Sequence, residues 1–297
     1  MKEITVAVVG LGNMGFGAAC SLVSAGFTTM GYDIHEETLG KFRGRGGIAV
    51  GSPASAAKSA DVVFVFVVNA EQVEQVLFGA EGVVSSARPD TVVVCCATTP
   101  PSFAREAGRR LTEAGLLALD APVSGGAAKA MTAEMSIMVS GSEAAFDKAK
   151  PALEAISIKL FQLGDELGVG SQVKMINQLL AGVHIAATAE ALTFGIRQGL
   201  DPAMLYEVIS QCAGSSWMFE NRGPHIVDGD YLPRSAVDIF VKDMSIVSSE
   251  AAQCEFPVPL SEVSRSLFAQ ASEFGHGDED DAAVAKVYAK KGGIQLP

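Results

Sequence analysis

The stretch ITVAVVGLGNMGFGAA, residues Ile4 to Ala19, decides the fold. It opens on a short apolar, β-branched run, turns on Gly10-x-Gly12-x-x-Gly15, and continues at helical spacing. A lone GxGxxG says little. After a buried strand and at the start of a helix, it has the context of a dinucleotide-binding turn. The glycines permit a tight turn and close approach to a pyrophosphate, and the helix N-terminus stabilises the anion. Gly10, Leu11, Gly12, Asn13, Met14 and Gly15 are therefore the candidate cofactor loop, with Met14 expected to pack beside the cofactor. The next apolar run ends at Gly31-Tyr32-Asp33, eighteen residues past Gly15. A carboxylate at Asp33 accepts hydrogen bonds from ribose hydroxyls and repels a 2′-phosphate, which favours NAD over NADP. The alternative is that Asp33 caps the following helix.

Working outward, strand-like runs recur at 4–9, 28–32, 61–68, 91–96, 116–119, 136–140 and 157–161. Helical patterns fall between several of them, at 14–25, 35–44, 70–78, 101–114 and 143–154. This alternation predicts βαβ units in a mainly parallel, doubly wound Rossmann-type sheet covered on both faces. After Gly170 the rhythm changes. Residues 171–198 read as one long helix without proline, followed by helical patterns at 201–212, 216–228, 236–254, 259–274 and 280–290. The expected layout is a cofactor domain over 1–162, a linker and interdomain helix over 163–198, and an all-helical domain over 199–297 for substrate binding and oligomerisation. The acidic patch Asp278–Asp281 reads as a solvated helix start.

A 297-residue chain with a net charge of −12 repels phosphate backbones, which argues against a nucleic-acid partner. The five cysteines (Cys20, Cys95, Cys96, Cys212 and Cys254) form no CxxC pair and no zinc spacing, so they read as reduced core cysteines and no metal is expected. With no leader-like N-terminus and no uninterrupted apolar run near ~18 residues, a soluble cytoplasmic protein without a membrane partner is expected.

Two further segments carry chemistry. DAPVSGG, Asp120–Gly126, closes an apolar run and supplies the Ser124 hydroxyl and two glycines, Gly125 and Gly126, whose backbone N–H groups can meet a carboxylate. Its plain alternative is a Ser-Gly-Gly turn. On the long helix, Lys174, Asn177, Gln178 and Ala181 fall at i, i+3, i+4 and i+7 against an otherwise apolar background. Burying such a polar stripe costs several kcal/mol unless something pairs with it, and a small hydroxylated carboxylate would. Lys174 can give a proton to a carbonyl oxygen or take one from a hydroxyl. Two loops at strand ends, Val68-Asn69 and Ala97-Thr98-Thr99, lie where ligands bind open parallel sheets, although Thr98 and Thr99 can equally cap the next helix. Lys242 follows Asp238 by four residues, so it serves either an ion pair or the cofactor.

Together GLGNMG, DAPVSGG and GVGSQVKMINQ resemble the β-hydroxyacid dehydrogenase family over essentially the whole chain. The resemblance implies a catalytic Lys174, substrate contacts from Ser124, Gly125, Gly126 and Asn177, and NAD contacts from Thr98 and Lys242. It also implies a homodimer or homotetramer. Where the family often reads K-x-x-N-N, this chain has Gln178, and Ala97 replaces a common serine. The runs 67–79, 176–187 and 215–243 are similar to a branch that oxidises a four-carbon sugar acid. Gln178 would suit so hydroxylated a substrate. Rival expectations are a D-glycerate or 3-hydroxyisobutyrate enzyme of the same family, or a non-catalytic NAD-binding scaffold.

Overall fold

A computed structural model describes residues 4–297. Two compact units divide after Lys174. The first contains β1 (Thr5–Val9), α1 (Gly15–Ser24), β2 (Thr28–Tyr32), α2 (Glu36–Arg43), β3 (Ile48–Ala49), α3 (Pro53–Ala57), β4 (Val62–Val65), α4 (Ala70–Phe78), β5 (Val92–Cys95) and α5 (Pro101–Glu113). It continues with β6 (Leu117–Asp120), β7 (Val123–Ser124), α6 (Gly126–Met131), β8 (Met135–Val139), α7 (Glu143–Glu154) and β9 (Ser157–Gln162).

Six strands form a parallel sheet in the order β3-β2-β1-β4-β5-β6. The order reverses between β1 and β4, which is the Rossmann-type, doubly wound arrangement. The unbroken apolar runs follow from burial on both faces. Val6, Val8, Phe64 and Val94 belong to one core, whereas Ala7, Val9, Val63, Val65 and Val93 belong to the core on the opposite face.

The last two strand runs do not extend this sheet. They form β8 and β9 of a separate three-stranded sheet, with β7 antiparallel and β9 parallel to β8. The Ser-Gly-Gly segment is accordingly more than a turn, because Ser124 pairs with Ser136 and Gly126 starts α6. Short elements β3 and α3 escaped the periodicity, being only two and five residues long.

α8 (Val169–Arg197) starts in the first unit and continues into the second. The second unit adds α9 (Pro202–Ile209), α10 (Trp217–Val227), α11 (Val237–Gln253), α12 (Pro259–Ala271) and α13 (Ala285–Gly292). Its core gathers Ile185, Leu192, Phe219, Phe240, Met244 and Phe268. Among the described residues α8 is the one helix long and apolar enough to cross a membrane by length and composition. Ile185, Ala189 and Leu192 place its second half in the core of the helical unit.

Two expectations fail here. Asp280 and Asp281 are fully buried, not solvated. Asp281 takes a two-pronged ion pair from Arg222, and Asp280 takes hydrogen bonds from His225 and from the Ala282 N–H. Asp278 is exposed as expected, while Asp280 and Asp281 form an internal pairing site, with Asp280 capping a short 3-10 turn at Asp281–Val284 ahead of α13. The cysteines also differ from a uniform core set, since Cys212 and Cys254 are exposed while Cys20 and Cys96 are buried.

Candidate active site

The glycine loop leaves β1 and enters α1. Gly10 sits at φ +92°, and a Cβ there would lie 2.5 Å from the Phe66 carbonyl oxygen. A Cβ at Gly15 would fall 1.9 Å from the Gly10 carbonyl oxygen. Both positions need glycine for the turn itself. Gly12 differs, because a Cβ there meets no heavy atom within 4 Å. Nothing among the described residues demands glycine at that position, whereas a pyrophosphate lying against this backbone would. The cradle therefore fits a dinucleotide.

Asp33, just past β2, is tied into the loop. Its Oδ2 accepts the Leu11 N–H at 2.7 Å and its Oδ1 accepts the His35 N–H at 2.9 Å. The N-cap position of α2 is His35, so Asp33 does not sit at the cap. Each carboxylate oxygen retains a lone pair for a ribose hydroxyl. Leu11 itself is a core side chain, Met14 packs against the same core, and Asn13 is exposed.

The strand-end loops divide in role. Asn69 caps α4 by accepting the Gln72 N–H, and Gln72 Oε1 accepts the Val68 N–H in return. This capping box accounts for Asn69 structurally. α5 has Pro100 at its N-cap position and no side-chain cap, so the capping alternative for Thr98 and Thr99 does not hold.

α1 carries the geometry across to DAPVSGG. A Cβ on Gly17 would be 2.6 Å from the backbone of Ala130, and Ser21 Oγ donates to the Ala130 carbonyl at 3.2 Å. The helix that follows the cofactor loop thus packs directly on α6. Gly125 at φ +135° and Gly126 at φ +75° start α6 in backbone conformations that other residues rarely adopt.

Asp120, the last residue of β6, was not singled out by sequence reasoning. Its buried carboxylate accepts the Ser171 N–H and the Ser171 hydroxyl, both at 2.7 Å, and a longer bond from Ser140 Oγ. Ser140 Oγ accepts the Gly170 N–H at 3.0 Å. The first turn of α8 is therefore bolted to the ends of β6 and β8. Gly170 is needed for this approach, since a Cβ there would lie 2.5 Å from the Met138 carbonyl oxygen. Burial outweighs the Ser171 hydrogen bonds and holds the Asp120 carboxyl above the usual carboxylate range. The one available signal was an acid ending an otherwise apolar strand.

One turn further on is Lys174, only 7% exposed, with Gln178 and Ala181 buried on the same stripe. The apolar side of α8 shows the reverse, with Val173, Ile176 and Leu180 between 42% and 52% exposed. This segment of α8 is inside out, with the polar stripe covered and the apolar one open. In the second unit, Gln178 donates to Asp243 and accepts from Asn177, while Lys242 donates to Asp243. Among the described residues, no three His, Cys, Asp or Glu side chains group to hold a metal ion.

Residues 5–164 match the family described as the NAD-binding domain of 6-phosphogluconate dehydrogenase. Residues 168–288 match the NAD-binding region of NADP-dependent 3-hydroxyisobutyrate dehydrogenase. The chain belongs to the β-hydroxyacid dehydrogenase family. It is similar to the L-threonate dehydrogenase of Cupriavidus necator, at 53% identity over 98% of this chain and 97% of that one. The L-threonate dehydrogenase of Pectobacterium atrosepticum is 48% identical over 100% of this chain and 97% of the relative. Among solved structures, a 3-hydroxyisobutyrate dehydrogenase from Salmonella typhimurium superimposes with a TM-score of 0.92 at 46% identity, covering 96% of this chain and 100% of that one. As a β-hydroxyacid dehydrogenase the chain is an NAD-dependent oxidoreductase.

Proposed function

We propose that this dehydrogenase oxidises L-threonate to 2-dehydro-L-erythronate with NAD, using Lys174 as general base. The observation that carries the reading is a lysine buried to 7% exposure on a helix whose first turn is fixed by Asp120. Gly10, Gly12, Gly15 and Asp33 would hold the dinucleotide, which when bound supplies a hydride acceptor. Ser124 and the Gly125 and Gly126 backbone would take the substrate carboxylate, with Asn177 at a substrate hydroxyl. Lys174 takes the proton of the reacting hydroxyl, and in the reverse direction returns it to the carbonyl oxygen. For the first task the amine must be neutral.

The substrate assignment is supported by the two full-length L-threonate dehydrogenase relatives. A second reading, 3-hydroxyisobutyrate, is favoured by the name of the Salmonella neighbour. NADH formation from L-threonate, D-erythronate, D-glycerate and 3-hydroxyisobutyrate, each with NAD and NADP, decides between them. Preference for L-threonate with NAD is expected, and preference for either of the last two acids overturns the assignment. Lys174→Ala is expected to keep NAD binding and lose turnover, whereas a scaffold would have no turnover to lose. The exposed row Val173, Ile176 and Leu180 supports assembly into a homodimer or homotetramer, which light scattering tests. A cytoplasmic setting agrees with five unpaired cysteines.

A further inference from the structure

Asp243 is 2% exposed, and both of its oxygens are engaged. Oδ1 accepts Lys242 Nζ at 2.6 Å and Oδ2 accepts Gln178 Nε2 at 2.5 Å. A carboxylate can only accept hydrogen bonds, so the Gln178 amide must present its nitrogen to Asp243. Its carbonyl oxygen is then fixed on the other side, where it accepts Asn177 Nδ2 at 3.0 Å. Asn177 in turn has one of its two amide N–H groups committed to Gln178. The group it has left to accept a hydrogen bond is Oδ1.

From this we infer that Asp243 and Gln178 form an orienting relay that sets Asn177 as a hydrogen-bond acceptor, and so selects a substrate bearing a hydroxyl beyond the one that reacts. The inference rests on the proposed substrate reading, because it takes Asn177 as a substrate contact. The orientation leaves Asn177 with the acceptor Oδ1 beside one remaining N–H; a hydroxyl answers both, whereas a carboxylate is repelled by the oxygen, so the relay assigns to Asn177 the sugar-acid hydroxyls. Asp243 and Gln178 are positioning residues, acting through Asn177. Gln178 has the length for the task. An asparagine is one methylene shorter.

The test compares kcat/KM for L-threonate with that for its single-deoxy analogues, 2,4-dihydroxybutanoate and 2,3-dihydroxybutanoate, in the NAD-bound enzyme. The wild type is expected to prefer L-threonate by at least about tenfold over the analogue lacking the recognised hydroxyl, the worth of roughly one hydrogen bond. Gln178→Met keeps length and apolar bulk but makes neither link, and Gln178→Asn makes at most one. Both are expected to lower that preference about tenfold. A role limited to packing would lower activity on all three acids alike, and that result overturns the relay, as does a wild type indifferent to both deoxy analogues. If L-threonate is not oxidised at all, the substrate reading fails separately. The ratio is then read on the acid that is oxidised, and an acid whose only hydroxyl is the reacting one overturns the relay too.

Discussion

Replacing Asp120 separates what its shape contributes from what its charge contributes. In Asp120→Ala, the Ser171 N–H and hydroxyl lose their shared acceptor at a residue only 2% exposed. Each buried unsatisfied group costs about 1–3 kcal/mol. Removing a carboxylate that burial already disfavours offsets part of this, which leaves a net loss of about 2–4 kcal/mol. Asp120→Asn keeps one carbonyl oxygen for the Ser171 N–H, and the Ser171 hydroxyl can rotate to accept from the new amide. Its loss at neutral pH is expected to be about 1 kcal/mol or less. The pH dependence has a definite sign. Burial raises the Asp120 carboxyl, so the folded state holds its proton more tightly than the unfolded one. That stabilisation is complete below the unfolded value and is lost as pH rises through the folded value. The wild type should therefore gain on the Asn variant as pH is lowered through the acid range. Denaturant unfolding at neutral and acid pH measures both differences. Amide exchange should quicken over Gly170–Lys174 in the Ala variant and stay unchanged in β1 and β4. Because an ångström of misplacement can cost about a hundredfold in rate, kcat in the Ala variant should drop by about that factor, with NAD affinity within about twofold. An Ala variant as stable as the Asn variant, or unaltered exchange at the start of α8, refutes the reasoning.

Three further outcomes follow from the same geometry. Gly12→Ala should fold normally, since its Cβ meets nothing, yet lose at least about tenfold in NAD affinity by calorimetry, whereas Gly15→Ala should lose about 3 kcal/mol of stability through its clash with the Gly10 carbonyl. Asp33→Asn keeps an acceptor for the Leu11 N–H but drops the charge, and the ratio of NAD to NADP activity should fall about tenfold. In the helical unit, burial pushes the Asp280 carboxyl up, but the His225 hydrogen bond and the Arg222 charge outweigh it and hold Asp280 below its usual range. Its stabilisation is present above the unfolded value of about 3.9 and is lost as pH falls through the folded value, so Asp280→Asn should flatten the acid limb of the melting temperature against pH.

Local signals carried the fold where one physical rule dominated. Strands buried on both faces gave unbroken apolar runs, and the glycine turn announced its strand and helix on either side. Residues whose role depends on distant partners were not visible. Asp280 and Asp281 looked solvated because Arg222 and His225, which neutralise their burial, lie more than fifty positions away. β8 has the apolar composition of the main-sheet strands, and its pairing with β7 through the Ser124–Ser136 register sets it apart, while β9 is a largely exposed edge strand that carries Lys159 and Gln162. The polar stripe on α8 and its burial were legible from the 3.6-residue period, but the exposure of the apolar side was not. An apolar helix suggests burial all round, and in fact Ile176 and Leu180 are the open side.

The two acids without a role in the sequence pattern, Asp120 and Asp243, both bond to α8, the helix that carries the proposed catalytic stripe. Asp120 fixes where α8 begins, through Ser171, and Asp243 fixes how an amide beyond Lys174 is turned, through Gln178. Both are nearly inaccessible carboxylates with charge-assisted bonds to α8. Burying a carboxylate is costly, and an apolar side chain at either place would be the cheaper way to fill space. What neither an alanine nor a leucine supplies is a direction. An acceptor-only group dictates which N–H meets it. On the proposed reading, the ordering of Lys174 and Asn177 is a reason for these charges beside stability. Variants at Asp120 and Gln178 should accordingly change turnover and substrate preference by larger factors than their effects on unfolding would suggest.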